Sequence, residues 1–216
     1  MKKTILTVLV IGMSLSLFAQ TNRTNGNASN LSNNLIIAAN SNPNFGASTV
    51  FFNPARNTEG SVHLFEGWEN AGVIYTSDNQ RFSINNVNVN LERHTFESKI
   101  GQDSLFTFNF NNIKKFVING KVFKMYYKDG SNKIFQEVYS SPEFDILRGY
   151  KVSLRKGSAN PMLNRSTDKY VQNEFYYIRQ NDMISDFRLK KKNVSKLVGG
   201  DDDVAKRIIE RVTKTK

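Results

Sequence analysis

The chain has 216 residues, no cysteine, and 30 Lys and Arg against 19 Asp and Glu, for a formal net charge of +11. The lack of cysteine excludes disulfides and thiolate metal sites, so stability must come from burial, and a chain of this length hides enough apolar surface for one unstapled core. The cationic surplus favours anionic partners without naming one.

Residues 1–19 read MKKTILTVLVIGMSLSLFA, with Lys2 and Lys3, an uncharged apolar run from Ile5 to Phe18, and Ala19 before Gln20. That run is shorter than the roughly twenty residues of a bilayer-spanning helix, so 1–19 is expected to be a cleaved signal peptide and the location periplasmic. Leu17 stands where a small residue would be usual. No later run is long enough to span, so no transmembrane segment is expected in the mature chain, although peripheral membrane association is compatible with its charge. Cleavage leaves 28 Lys and Arg against 19 acids, a net charge of +9. Export argues against nucleic acid as a partner.

Residues 20–70 read as an Asn/Ser-rich arm or linker, broken by the apolar islands LIIAA at 35–39 and VFF at 50–52. So few apolar residues cannot offset the entropy of ordering the segment alone, but either island suits strand addition to a sheet edge. Residues 71–192 are expected to form a β-rich domain. GVIYTS, RFSI, VNVNL, HTFESKI, SLFTFNF, IKKFVI, KVFKMYYK, KIFQEVYS, YKVSLRK, VQNEFYYI and MISDFRL alternate with period two. Turn pairs lie between them: Asp78-Asn79, Asn119-Gly120, Asp129-Gly130 and Asn181-Asp182. Asn-Gly suits a two-residue hairpin because both central residues need positive φ. The fold class implied is mainly β, an antiparallel meander forming a curved sheet, sandwich or partial barrel, with short C-terminal helices. Those helices occupy 193–216. One is expected from about Asn193 to Val198, stopped by Gly199-Gly200. The other begins at Asp201–Asp203 and turns the stripe Val204, Ile208 and Val212 onto the sheet.

The polar interval KGSANPMLNRSTDKY, residues 156–170, interrupts this alternation. Loops of this length inside compact domains are often functional, and a crossing loop pinned by Met162 and Leu163 is the plainer reading. Residues 144–192 resemble a group of uncharacterised secreted proteins of the Bacteroidota. The likeness rests on Gly149, Tyr150 and Val152, then Asn160 to Met162, Asn164, Arg165 and Asp168 to Tyr170, then Tyr176 and Tyr177, and Lys190 to Lys192. It covers about a third of the chain, implies an envelope location, and brings no catalytic residues with it.

Catalytic signals are thin. His63 and His94 have no ligand-spaced companion in sequence, so no metal site is expected. No G-x-S-x-G or S-x-x-K is present. Glu92 and Glu97 read as surface charges on a hairpin, and Asp201–Asp203 as a helix cap rather than a calcium loop. The chain is therefore expected to be no enzyme and to need no cofactor. Charge is more informative. From Arg148 to Lys196 there are twelve Lys and Arg against four acids, interleaved with tyrosines. Arg with Tyr is a mixture that interfaces favour. The expected partner-binding face is Arg155, Lys156, Asn160, Asn164, Arg165, Asp168, Lys169, Tyr170 and Arg179, meeting an acidic protein surface of a larger envelope complex. The role anticipated is a non-enzymatic accessory subunit on an outer-membrane assembly. In the phylum of the resemblance, a type 9 secretion translocon, closed at its periplasmic end, is one host. The competing expectation is a binder of lipid or peptidoglycan in a curved sheet lined by Phe106, Phe108, Phe110, Phe123 and Tyr126.

Overall fold

The computed structural model describes residues 46–49, 58–101, 104–157 and 167–214. The expected signal peptide, LIIAA and VFF lie outside them. Among the described residues, thirteen strands and two α-helices form a mainly β architecture of two unequal sheets.

The larger sheet is built from β3 (Gly72–Thr76), β4 (Arg81–Ile84), β8 (Ile113–Ile118), β9 (Lys121–Lys128), β10 (Ser131–Ser140), β11 (Asp145–Arg155), β12 (Asp168–Gln180) and β13 (Met183–Phe187). Their order across the sheet is β13-β12-β11-β10-β9-β8-β3-β4, so β8 to β13 form the expected meander, and the sheet stays open. All of these pairs are antiparallel, while β2 (Thr58–Glu59) adds a short parallel pairing to β12. The smaller sheet is ordered β1 (Gly46–Thr49), β7 (Leu105–Phe108), β6 (Thr95–Lys99) and β5 (Val87–Asn90). Each of the eleven alternating segments coincides with or overlaps one of β3 to β13.

Turn chemistry explains the register. Asn119 and Gly120, Asp129 and Gly130, and Asn181 and Asp182 all have positive φ. Val117 pairs with Val122, and Ile118 with Lys121, across the Asn119-Gly120 turn.

The small sheet covers the β3-β8-β9 end of the large one. Phe96 and Phe106 from the small sheet meet Ile74, Phe116 and Phe123 from the large, and Phe96 stacks on Phe116 with centroids 3.8 Å apart. The other end is covered by helices α1 (Lys191–Leu197) and α2 (Asp202–Lys214). Asp201 caps α2, its carboxylate accepting from the amides of Asp203 and Val204 at 3.0 and 2.9 Å. Ala205, Ile208 and Val212 are buried against Val138, Phe144, Ile146 and Ile178. The stripe thus packs on the sheet as its spacing predicts.

The folded body also reaches further toward the N-terminus than residue 71. The Leu64 amide bonds the Val89 carbonyl and the Leu91 amide the Val62 carbonyl, each at 2.9 Å, while Leu64 and Phe65 pack on the core. A single bridge and side-chain amides, such as that of Asn88 donating to the Phe65 carbonyl, hold this stretch. Such attachment leaves no period-two signature.

Candidate functional site

β11 and β12 have eleven and thirteen residues, longer than any neighbour. β10 pairs with β11 only up to Gly149, and β13 pairs with β12 only from Tyr176 onward. From Tyr150 to Arg155 and from Asp168 to Phe175, the two strands therefore run on as a projecting ribbon. The polar interval of the sequence, of which 158–166 lie outside the described residues, falls between these two strands. Two-stranded ribbons are marginal alone, and this one is braced along its outer half. Gln172 Nε2 donates to the carbonyls of Ser61 and His63 at 3.2 and 2.7 Å, and β2 lies along Asp168 and Lys169.

The ribbon turns Tyr150 and Val152 onto the main core, and its other face is polar, cationic and open to solvent. Lys151, Arg155, Lys156 and Lys169 are exposed, as are Leu154 at 43% and Phe175 at 41%. Arg155 stands directly opposite Lys169 in the ladder. Like charges at that position cost stability, so an anion brought to this spot relieves a repulsion already built in.

Asn160, Asn164 and Arg165 lie outside the described residues. Asp168 closes the loop base, its carboxylate accepting from the Gly157 amide at 2.9 Å and lying 3.7 Å from Lys156 Nζ. Lys169 Nζ is 3.9 Å from Glu59. Tyr170 is half-buried, with its backbone against Gly60. Arg179 is not brought to this group. It lies ten ladder positions from Lys169, about 33 Å along the strand at ~3.3 Å per residue. There it bonds Asp145 at 2.9 Å and also Asp182, and its guanidinium lies 5.0 Å over the Tyr126 ring.

At the root of the ribbon the large sheet curls. Lys128 at the end of β9 comes within 3.5 Å of Asp186 on β13 and 5.2 Å of the Tyr177 ring on β12. Phe135, Leu147 and Tyr177 are buried on this face. The rings of Phe135 and Tyr177 lie over Gly149, where a Cβ would sit 2.6 Å from Tyr177. A cavity of about 520 Å³ opens where β10 parts from β11. His94 reaches its floor, its Nδ1 accepting from the Ile134 amide at 3.5 Å. Burial, followed by the charge of Lys133, holds the His94 imidazole below its ordinary range. His94 lies in a turn with φ of 52° and not within the alternating strand its neighbours suggest.

A second polar cluster is invisible in the sequence. Glu97 is 0% exposed and anchors β6 to the segment before β3. It accepts from His63 Nε2 at 2.7 Å, from Thr95 at 3.0 Å, from Asn90 at 3.2 Å and from Arg93. Burial pushes its carboxyl up, but the His63 bond, the Arg93 and His63 charges and the Thr95 bond together hold it below the usual glutamate range. The reading of Glu97 as a surface charge is thereby corrected: its partners come from residues up to 34 positions away. Ser61 Oγ lies 3.3 Å from His63 Nδ1, completing a hydroxyl–imidazole–carboxylate order, yet it also accepts the His63 amide at 2.9 Å and so caps a local turn.

The aromatics expected to line a ligand cavity divide. Phe106, Phe108 and Phe123 are buried in the core between the sheets with Phe110 packed against them, whereas Tyr126 belongs to the opposite, curled face.

Fold and site together define an open, curled two-sheet β protein with a helical cover and a projecting cationic hairpin. No family model, curated protein or solved structure matches this chain. Among the described residues, no helix is long and apolar enough to cross a membrane.

Proposed function

We propose that this chain is a non-enzymatic interaction module of the periplasm, docking through the β11–β12 hairpin onto an acidic surface of a larger outer-membrane complex. A type 9 secretion translocon is one assembly of that kind, with this subunit at its periplasmic end. The observation that carries the reading is the ribbon itself. Strands that outrun β10 and β13 leave their outer halves with few sheet neighbours, and here those halves present Lys151, Arg155, Lys156 and Lys169 with two of the cations face to face.

The test is recovery of membrane partners by the tagged protein in gentle detergent. Charge reversal at Arg155, Lys156 and Lys169 is expected to abolish recovery and leave the melting midpoint nearly unchanged, because these side chains are exposed. Undiminished recovery by that variant would remove the hairpin from the docking surface. Arg179 is left intact in this design because its reversal would break the Asp145 pair.

A further inference from the structure

We propose that the free edge of β11, from Tyr150 to Arg155, takes up an extended acidic segment of the partner protein as an added strand. The inference rests on the docking role above and gives that role a recognition mode.

The fork between β10 and β11 is the starting point. Their ladder ends at the Phe135–Gly149 pair, but β11 remains a strand for six more residues, paired through those residues with β12 alone. Among the described residues, no backbone hydrogen bond reaches its other edge. An unpaired row of amides and carbonyls is a template for another chain, and main-chain pairing of this kind gives affinity while flanking side chains give selectivity. On the β10 side the Ile134 amide is turned toward His94, so β11 carries the open template.

Room and charge fit one class of occupant. The 520 Å³ cavity lies at the fork, between Lys133–Phe135 and Gly149–Lys151. Its charged lining is Lys128, Lys133, Lys151 and Arg188 against Asp129 and Asp186. Lys128 faces both aspartates and Lys133 faces Asp129. Lys151, Arg155 and Arg188 have no carboxylate partner among the described residues, and Lys151 lies 5.0 Å over the exposed Phe175 ring. Cations on a sheet edge repel a second copy of that edge, and the arm, whose only charges before Glu59 are Arg23 and Arg56, gains nothing from them, whereas an acidic strand answers them.

The probe is fluorescein-labelled Asp-Val-Glu-Val-Asp-Val, titrated by fluorescence polarisation into the mature chain, with a lysine-for-acid counterpart and two versions N-methylated at alternate residues in opposite registers. The acidic peptide should bind and the basic one should not. One N-methylated register should bind about tenfold more weakly, through the ladder bonds it removes, while the other binds like the parent. Alternate amides within 151–155 should become protected from exchange on binding. Lys151→Glu with Arg155→Glu should also weaken binding about tenfold. Binding indifferent to N-methylation, with no protection of 151–155, would refute strand addition and leave docking by the basic ribbon standing. No binding of the acidic peptide would refute the inference, and membrane recovery by the Arg155, Lys156 and Lys169 variant then decides the docking role separately. Edge amides protected in the free chain, and released when residues 20–45 are deleted, would assign the edge to the protein's own arm and overturn the proposal.

Discussion

Arg148→Met measures what a buried cation does at the seam between sheet and helices. Arg148 is 1% exposed and donates to the Val212 carbonyl in the last turn of α2 at 3.0 Å and to the Tyr176 hydroxyl at 3.2 Å, with Glu174 3.6 Å away. Hydrogen bonds from a charged donor contribute about 1.5–3 kcal/mol each, so two good ones represent roughly 3–6 kcal/mol. Against that stands the cost of keeping a guanidinium out of water, several kcal/mol, which methionine removes while retaining the apolar stem. The carbonyl of Val212 and the negative end of the helix then lose their donor, and the net loss should be about 2 kcal/mol. For a chain of this size that corresponds to a fall of roughly 4–8 °C in the midpoint. Thermal melts followed by circular dichroism read it, and a cycle with Tyr176→Phe should return a coupling of about 0.5–1 kcal/mol. A midpoint unchanged or raised by Arg148→Met would show that desolvation outweighs both bonds and would refute the reasoning.

Gly149→Ala should destabilise by about 1–3 kcal/mol in denaturant titrations, since the new methyl must displace the Tyr177 and Phe135 rings together. Because the His94 pKa is lowered on folding, the unfolded chain takes up the proton first as pH falls below 6.5, and stability declines from there toward the folded value. His94→Asn, which tolerates the positive φ, should flatten that slope in melts recorded across the range. Glu97 has the opposite charge type: its lowered folded pKa gives stability that is fully present well above 4.5 and is lost as pH falls through the folded value. Glu97→Gln should therefore cost about 3 kcal/mol at neutral pH and remove part of the acid-limb loss seen by chemical denaturation.

Much of the sheet was legible because local chemistry and global pairing agree. Asn119-Gly120 and Asp129-Gly130 need positive φ, adopt it, and so fix two hairpins of the meander. Alternation could not say which sheet a strand joins. β5, β6 and β7 have the same period as β8 and β9, yet they leave the large sheet between β4 and β8 to form its cover. The basic ribbon was legible as a run of cations around a long loop, but Arg179 shows the limit of that reading. It belongs to the same strand as Lys169, and the length of β12 carries it to Asp145, an acid that precedes the basic stretch from Arg148 to Lys196. The Glu97 cluster was illegible for a related reason. His63 and Glu97 meet through a bridge between His63 and Asn90, and no spacing rule connects residues joined only by tertiary packing.

The order of the layers bears on how the chain reaches its final state. β3 finds its second neighbour only when β8 arrives, and among the described residues Val138, Phe144, Ile146 and Ile178 take their cover from α1 and α2, which follow them in the chain. A polypeptide emerging N-terminus first must therefore hold this strip of its largest sheet bare until the residues of α2 are delivered. During that interval proteases and chaperones compete with α2 for the same apolar strip.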